Sequence, residues 1–225
     1  MRKTLSKSKR AMEVKVYAVR VGNRYGLEFE KYLKDKIPDI EFLNEEREGF
    51  KLQWNKLHFF QLDIDRPICV IDIDIDLIND YTKIFEYPIQ RGEFLTLDCW
   101  WDNRPINGGF YKFYPSDVKF VYDEFKKNKD YWERYFIENG TKPGPVNGEE
   151  DFVYHMVKDV LEVKYLPGTW ATKMKSKPDR KELIQLNRKY PGKYLYLDKF
   201  NQDIKLIHYL DLNRIYSRLG QLNQN

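Results

Sequence analysis

Three aspartates at alternating positions, directly after an apolar run, are the residues of this chain best placed to do chemistry. Ile68 to Ile71 are predicted to form a buried strand, because four consecutive apolar residues suit a strand that is covered on both faces. Asp72, Asp74 and Asp76 follow where that strand leaves the core. Side chains at i and i+2 lie on the same side of a strand, roughly 6.7 Å apart along it, so Asp72 and Asp74 point to one place.

Two carboxylates that close together indicate a divalent cation. Hard oxygen ligands suit Mg²⁺, Mn²⁺ or Ca²⁺, and ligands of open α/β sheets collect outside the carboxyl ends of the strands. The alternative is a solvated edge strand, which the apolar lead-in disfavours because exposed apolar edges promote aggregation. The pattern therefore predicts a metal-centred site at the end of a central strand.

Two other classes of protein also contain closely spaced acids of this kind and offer alternative interpretations. A calcium EF-hand loop would place Gly after the third acid and Glu at its twelfth position, where this chain has Leu77 and Lys83, so that loop is excluded. A phosphatase resembling the haloacid dehalogenases also carries Asp-x-Asp after an apolar strand. Its pattern usually continues with Thr or Val where this chain has Asp76, and its acids follow the first strand of the domain. It stays the alternative enzyme.

The elements around the aspartates predict an α/β fold. A strand over 13–20 leads through the loop Val21–Gly26 into a helix over 27–36, and a strand over 40–43 and a helix over 54–62 precede the strand that ends at the acids. This β-α-β-α-β order is typical of a doubly wound, mainly parallel sheet. Further strands are predicted over 94–97, 109–113, 162–166 and 205–209, and further helices over 118–125 with Ser116 as N-cap, 130–139, 149–159 and 179–189.

Length and composition are those of a single enzyme-sized domain. The 225 residues can bury a sizeable core, and a hydrophobic share of 42% with 33% charged residues is ordinary for a globular protein. We expect a domain over 13–211 between a basic leader over 1–12 and a polar tail over 212–225. Cys69 and Cys99 do not make a disulfide framework, and no apolar run is long enough to span a bilayer or to act as a secretory signal. A cytoplasmic setting is therefore expected.

Positive charge is concentrated in the leader. Residues 1–10 hold five basic side chains and no acid, which leaves 34 basic against 35 acidic residues in the rest of the chain. The body is close to neutral, so no nucleic-acid partner is expected. We expect the leader to be flexible and solubilising, with peripheral contact to an anionic membrane surface as the alternative.

Six segments in a fixed order make the chain resemble GT-A fold Leloir glycosyltransferases, in particular the glycogenin-like and bacterial lipopolysaccharide enzymes. The Asp-x-Asp strand is the third of the six, and a lone motif of that kind would be weak evidence. The segments are VYAVRVGNRYG (16–26), QWNKLHFF (53–60), CVIDIDIDLINDYTKIFE (69–86), INGGFYKFYPSD (106–117), NGEEDFVYHM (147–156) and IKLIHYL (204–210). The resemblance implies a GT-A, Rossmann-like fold with a mixed, mainly parallel sheet flanked by helices.

The resemblance also implies a metal-dependent transfer of a sugar from a nucleotide-sugar donor, with UDP as the expected nucleotide. Mn²⁺ or Mg²⁺ would be held by Asp72, Asp74 and His208, and Asp72 would also face the ribose. The donor-binding residues that it implies are Val21, Gly22, Arg24, Tyr25, Lys56 and Asp72. Gly22 would permit close backbone approach and Arg24 could pair with phosphate, although an ordinary β-to-α turn explains this loop equally well.

On the acceptor side, the resemblance points to Asn107 and to the acidic cluster Glu149, Glu150 and Asp151. One of these acids would orient or deprotonate an acceptor hydroxyl, and Glu150 is the first choice because it falls at the Gln of the family's Gly-Asp-Gln segment. The plain alternative is an acidic first turn that suits the helix dipole. The aromatic pair Trp100 and Trp101, with Asp102, could line the sugar site.

Three points stay open at this stage. The acceptor could be a glycan, a lipid-linked molecule or a protein. Asp76 has no counterpart in the family and is expected to be solvated or paired with a lysine. A binding module that keeps the fold without turnover is the non-enzymatic alternative.

Overall fold

The centre of the fold is a six-stranded mixed sheet. The structure, a computed structural model, describes residues 14–99, 103–141, 148–174, 188 and 202–209. Within them the strands are β1 (Lys15–Val19), β2 (Glu41–Leu43), β3 (Ile68–Ile71), β4 (Ile75–Leu77), β5 (Glu93–Leu97), β6 (Asn107–Phe113), β7 (Glu162–Tyr165), β8 (Ala171–Met174) and β9 (Leu206–Tyr209). The central sheet has the order β2-β1-β3-β6-β5-β7, and β6 alone among these strands runs antiparallel to its neighbours. The expected mixed, mainly parallel sheet is confirmed.

A small second sheet abuts the carboxyl end of β3. Its order is β4-β9-β8, with β4 antiparallel and β8 parallel to β9. The chain leaves β3 after Ile71, turns over Asp72 to Asp74, and enters β4 at Ile75, which pairs with His208 of β9. The turn that carries the first two acids therefore links the two sheets.

Helices cover both faces of the central sheet. They are α1 (Leu27–Lys36), a 3-10 helix (Leu52–Gln61), α2 (Thr82–Glu86), α3 (Pro115–Asn139) and α4 (Glu149–Val157). Phe29 and Leu33 of α1 and Phe85 of α2 belong to the core on one face, whereas the 3-10 helix, α3 and α4 enclose an aromatic core on the other. None of the described helices is long and apolar enough to cross a bilayer.

The structure corrects several details of the predicted helices. The helix expected over 54–62 is a 3-10 helix that begins at Leu52. Ser116 does not cap α3, because the helix already begins at Pro115, whose fixed φ and missing N–H suit a first helical position. The two helices expected over 118–125 and 130–139 are one helix, interrupted at Asn128 by a non-helical backbone (φ −125°, ψ 31°).

Asp76 was expected in solvent or beside a lysine, and the solvated alternative was wrong. Its side chain is buried in β4 and accepts a hydrogen bond from the Tyr32 hydroxyl of α1. The Leu77 amide in turn donates to that hydroxyl oxygen at 3.1 Å. Asp76 therefore joins α1 to the second sheet and is a structural residue.

Some predictions fall outside the described residues. These are the leader, the polar tail, the helix over 179–189 apart from Arg188, and the residues Trp100, Trp101 and Asp102. The domain boundaries consequently stay predictions.

Candidate functional site

Asp72, Asp74 and His208 meet at the junction of the two sheets. The His208 Nε2 atom lies 3.6 Å from Asp72 Oδ2 and 3.5 Å from Asp74 Oδ1. One ligand atom from each residue falls within 4.8 Å of the other two. Asp72 follows β3, Asp74 precedes β4, and His208 lies on β9, so three separate strands set the geometry. The cluster contains the three residues expected to ligate the metal.

The two carboxylates and the imidazole shift one another's protonation. Burial alone would lower the pKa of His208, but the carboxylates of Asp74 and Asp72 outweigh it and raise that pKa. Burial alone would raise the pKa of Asp74, but His208 and the Tyr25 hydroxyl outweigh it and hold that pKa below its usual range. A cation in the cluster would take over the role of the imidazole proton, because a ligating histidine is neutral.

Tyr25 links the loop Val21–Gly26 to the cluster. Its hydroxyl donates a hydrogen bond of 2.8 Å to Asp74 Oδ2, and the guanidinium of the exposed Arg24 lies 5.2 Å from the centre of the Tyr25 ring. Val21 is buried. Gly22 has φ +73°, and a Cβ added there would lie 3.1 Å from Leu52 Cδ2, so the turn itself requires glycine. The loop borders the cluster, and its contact with a nucleotide stays a prediction.

Lys56 is the cation at the centre of the site. The 3-10 helix buries this side chain, and its Nζ lies 2.5 Å from Asp72 Oδ1 and donates to the Gly108 carbonyl at 2.9 Å. Glu149 Oε2 lies 3.5 Å away on the other side. Burial disfavours the ammonium form, but Asp72 and Glu149 outweigh it and raise the pKa of Lys56. Lys56 therefore stays charged and connects the cluster of Asp72, Asp74 and His208 to α4.

Glu149 is the most deeply buried acid of the expected acceptor side. The Tyr111 hydroxyl of β6 donates to its Oε1 at 3.2 Å, and Lys56 lies beside its Oε2. Burial and, less strongly, the nearby Asp72 carboxylate raise the pKa of Glu149 to about 7, against the opposing effects of Lys56 and the Tyr111 hydroxyl. Glu149 can therefore exchange a proton near neutral pH, which suits acid–base chemistry.

Two hydrogen-bond donors hold the Glu150 carboxylate, and the sequence did not predict that they would meet there. Its Oε1 pairs with the Arg104 guanidinium, and its Oε2 accepts a hydrogen bond of 2.7 Å from the Gly108 amide. Gly108 is therefore bound at both ends, by Glu150 at its N–H and by Lys56 at its carbonyl. Nothing in the sequence marks Arg104 for this contact.

The glycine pair Gly108 and Gly109 in β6 allows the side chains of the site to pack close to the strand. A Cβ at Gly109 would lie 2.7 Å from Asn107 Oδ1 and 3.3 Å from His208 Nδ1. The Asn107 side chain is buried and accepts a hydrogen bond of 3.0 Å from the Gly109 amide. Glycines inside a strand often mark close backbone approach, so the sequence did carry a signal for these positions.

Asp151 lies on a different side of α4 from the cluster. It is buried and accepts hydrogen bonds from the Thr141 amide at 2.9 Å and the Thr141 hydroxyl at 2.8 Å. It thus connects the end of α3 with the start of α4. The structure brings Glu149, Glu150 and Asn107 to the site, and it does not bring Asp151 there.

Comparison with solved structures identifies the fold, whereas sequence comparisons find no match. No family model matches the sequence, and no curated protein does. Among solved structures, the galactosyltransferase LgtC in complex with donor and acceptor sugar analogues is similar with a TM-score of 0.57 and 12% identity, over 92% of this chain and 96% of that one. The glycosyltransferase GlyE of Streptococcus pneumoniae TIGR4 is similar with a TM-score of 0.55 and 11% identity, over 89% of this chain. The chain spans 56% of the length of the GlyE structure. These likenesses establish the GT-A fold.

Proposed function

We propose that this chain is a metal-dependent glycosyltransferase that transfers a sugar from a nucleotide-sugar donor, a UDP-sugar, to an acceptor hydroxyl. The observation that carries the proposal is the cluster of Asp72, Asp74 and His208 at the carboxyl end of β3 in a GT-A fold. Ligands of open α/β sheets collect at this end of the strands. Both solved structures compared above are described as glycosyltransferases.

The chemistry of the cluster fits Mn²⁺, with Mg²⁺ as the second choice. Two carboxylate oxygens and one imidazole nitrogen form a mixed donor set, and imidazole favours a transition metal over Ca²⁺. When bound, such a cation supplies charge neutralisation for the diphosphate that leaves the sugar. Tyr25 orients Asp74 by its hydrogen bond, and Lys56 orients Asp72 and adds a buried positive charge.

The remaining site residues divide between donor and acceptor. We propose that Val21, Gly22 and Arg24 border the nucleotide, because their loop reaches the cluster through Tyr25. Asn107, Glu149 and Glu150 lie on the other side of Lys56, where one acid would orient or deprotonate the acceptor hydroxyl. We place Asp151 in the framework of this acceptor side, on account of its bonds to Thr141. The cytoplasmic location and the role of the leader stay predictions.

A thermal-shift comparison tests the proposal. Ligands that bind only the native state stabilise it by about 2.7 kcal/mol at a hundredfold excess over the Kd. We expect UDP together with Mn²⁺ to raise the melting temperature more than either alone, and a UDP-sugar with Mn²⁺ to be slowly hydrolysed. Stabilisation by phosphomonoesters with Mg²⁺, together with their hydrolysis, would instead establish the phosphatase. Binding of UDP and Mn²⁺ without donor turnover would establish the binding module.

Two aspartates of the same motif provide a matched pair of variants. Asp74→Asn removes a ligand of the cluster, so the additional shift from UDP with Mn²⁺ and the turnover should both disappear. Asp76→Asn weakens the bond to Tyr32 outside the cluster, so it should lower the melting temperature and retain the response to Mn²⁺. Full turnover by Asp74→Asn would refute the metal assignment.

A further inference from the structure

A small cavity, open to solvent, lies between the C-terminal end of α3 and helix α4, outside the cluster of Asp72, Asp74 and His208. Its volume is about 220 Å³. Phe136 and Asp151 are its buried lining residues, and Asn139, His155 and Lys158 are exposed around it. The space is too small for a nucleotide and is sufficient for one pyranose ring.

The walls of the cavity are fixed by backbone packing. A Cβ at Gly140 would lie 2.8 Å from Asp151 Oδ2, and one at Gly148 would lie 2.9 Å from Phe136 Cβ. The two glycines therefore let the end of α3 pack directly on the start of α4. The two hydrogen bonds from Thr141 to Asp151 close the same junction. A cavity bounded in this way is formed before any ligand arrives.

Two residues that line the cavity directly follow, in the sequence, the two partners of an ion pair of the candidate site. Pro105 and Asp151 line the cavity, and the residues that precede them, Arg104 and Glu150, form the ion pair described above. The second oxygen of Glu150 accepts a hydrogen bond from Gly108. In α4 and in the segment before β6, one residue therefore belongs to the site and the next lines the cavity.

The lining has the chemistry that recognises a sugar. The rings of Phe136 and Tyr154 offer apolar surface for the C–H groups of a pyranose, and Asn139, His155 and Lys158 offer hydrogen-bonding groups for its hydroxyls. His155 is held against this aromatic group, with its ring centre 5.8 Å from that of Phe136. Apolar surfaces combined with a few polar groups are typical of small-molecule sites.

We infer that this cavity is an acceptor subsite that binds one pyranose unit, so that the acceptor is a carbohydrate chain. The inference rests on the proposed function and adds the class of acceptor to it. A carbohydrate chain seated in the cavity would pass the Arg104–Glu150 pair on its way to the cluster of Asp72, Asp74 and His208.

A glycan array tests the inference with the full chain. The labelled protein is applied with UDP and Mn²⁺ to an array of mammalian and bacterial glycans, as wild type and as the variants Tyr154→Ala and His155→Ala. Tyr131→Ala is the matched control, because it removes an exposed aromatic ring of α3 that does not line the cavity. All variants are first compared by melting temperature and by their thermal shift with UDP and Mn²⁺.

We expect the wild type and Tyr131→Ala to bind the same glycans. Each cavity variant should bind them at least roughly tenfold more weakly, which corresponds to about 1.4 kcal/mol, with an unchanged shift from UDP and Mn²⁺. A wild type that binds no glycan, or cavity variants that bind as tightly as Tyr131→Ala, would overturn the inference. A missing shift with UDP and Mn²⁺ would instead overturn the proposed function, and a glycan binding that depends on the cavity would still identify the sugar subsite.

Discussion

Replacing Glu149 by Gln should stabilise the protein, and only above the pH at which the free carboxyl ionises. Glu149 is buried, and burial raises its pKa from the ordinary 4.5 to about 7. The folded state then holds a proton that the unfolded chain has lost. Stability from this group is therefore fully present below pH 4.5 and is lost as the pH rises from there through about 7.

The size of this effect follows from the two pKa values. Their difference of about 2.5 corresponds to about 3 kcal/mol of lost stability above pH 8. A glutamine resembles the protonated carboxyl and can still accept the hydrogen bond from Tyr111, so the variant avoids this loss. For a chain of this size the gain corresponds to a rise in melting temperature of roughly 6–12 °C.

The assay is the melting temperature of wild type and Glu149→Gln between pH 4 and 9, with EDTA present so that no cation alters the field of Asp72. The two proteins should melt together at the acid end and diverge as the pH rises. Asp159→Asn, which changes an exposed acid just after the same helix, should show no such divergence. A difference that does not depend on pH, or a variant that is less stable than the wild type at pH 8, would refute the reasoning.

Three further predictions concern the rest of the site. His208→Ala should raise the Mn²⁺ concentration needed for half-maximal activity without abolishing activity, because one ligand is lost and water can take its position. His58→Ala, at a buried ring stacked on Phe50, should change the melting temperature instead. Equal metal titrations for His208→Ala and wild type would contradict the role of His208. Gly109→Ala should weaken Mn²⁺ binding measured by calorimetry, since its Cβ would press on His208 at 3.3 Å, and an unaltered affinity would count against that contact. Lys56→Met should cost about 3–5 kcal/mol of unfolding free energy in urea, because it leaves the buried Glu149 and the half-buried Asp72 without their cation. A neutral result would remove Lys56 from the centre of the site.

Local patterns in the sequence were sufficient for the strand that leads to the acids, for the mainly parallel sheet and for the position of Asp72 and Asp74 at the end of that strand. A four-residue apolar run has few other structures available, and carboxylates two positions apart at its end have few other uses. The position of His208 rested on the order of the family's segments. The structure confirms that these three residues meet.

Only the tertiary structure decided how the other polar residues are used. Asp74 and Asp76 have the same residue type and the same spacing from their neighbours, yet Asp74 enters the cluster and Asp76 is bound by Tyr32. The pairing of Glu150 with Arg104 and the separation of Asp151 from the site depend on how α4 packs against β6 and α3. Periodicity and spacing report a residue's immediate neighbours, whereas burial and ion pairing depend on elements far apart in the chain. The physical reason is that a buried charge must be matched by whichever partner the packing brings to it.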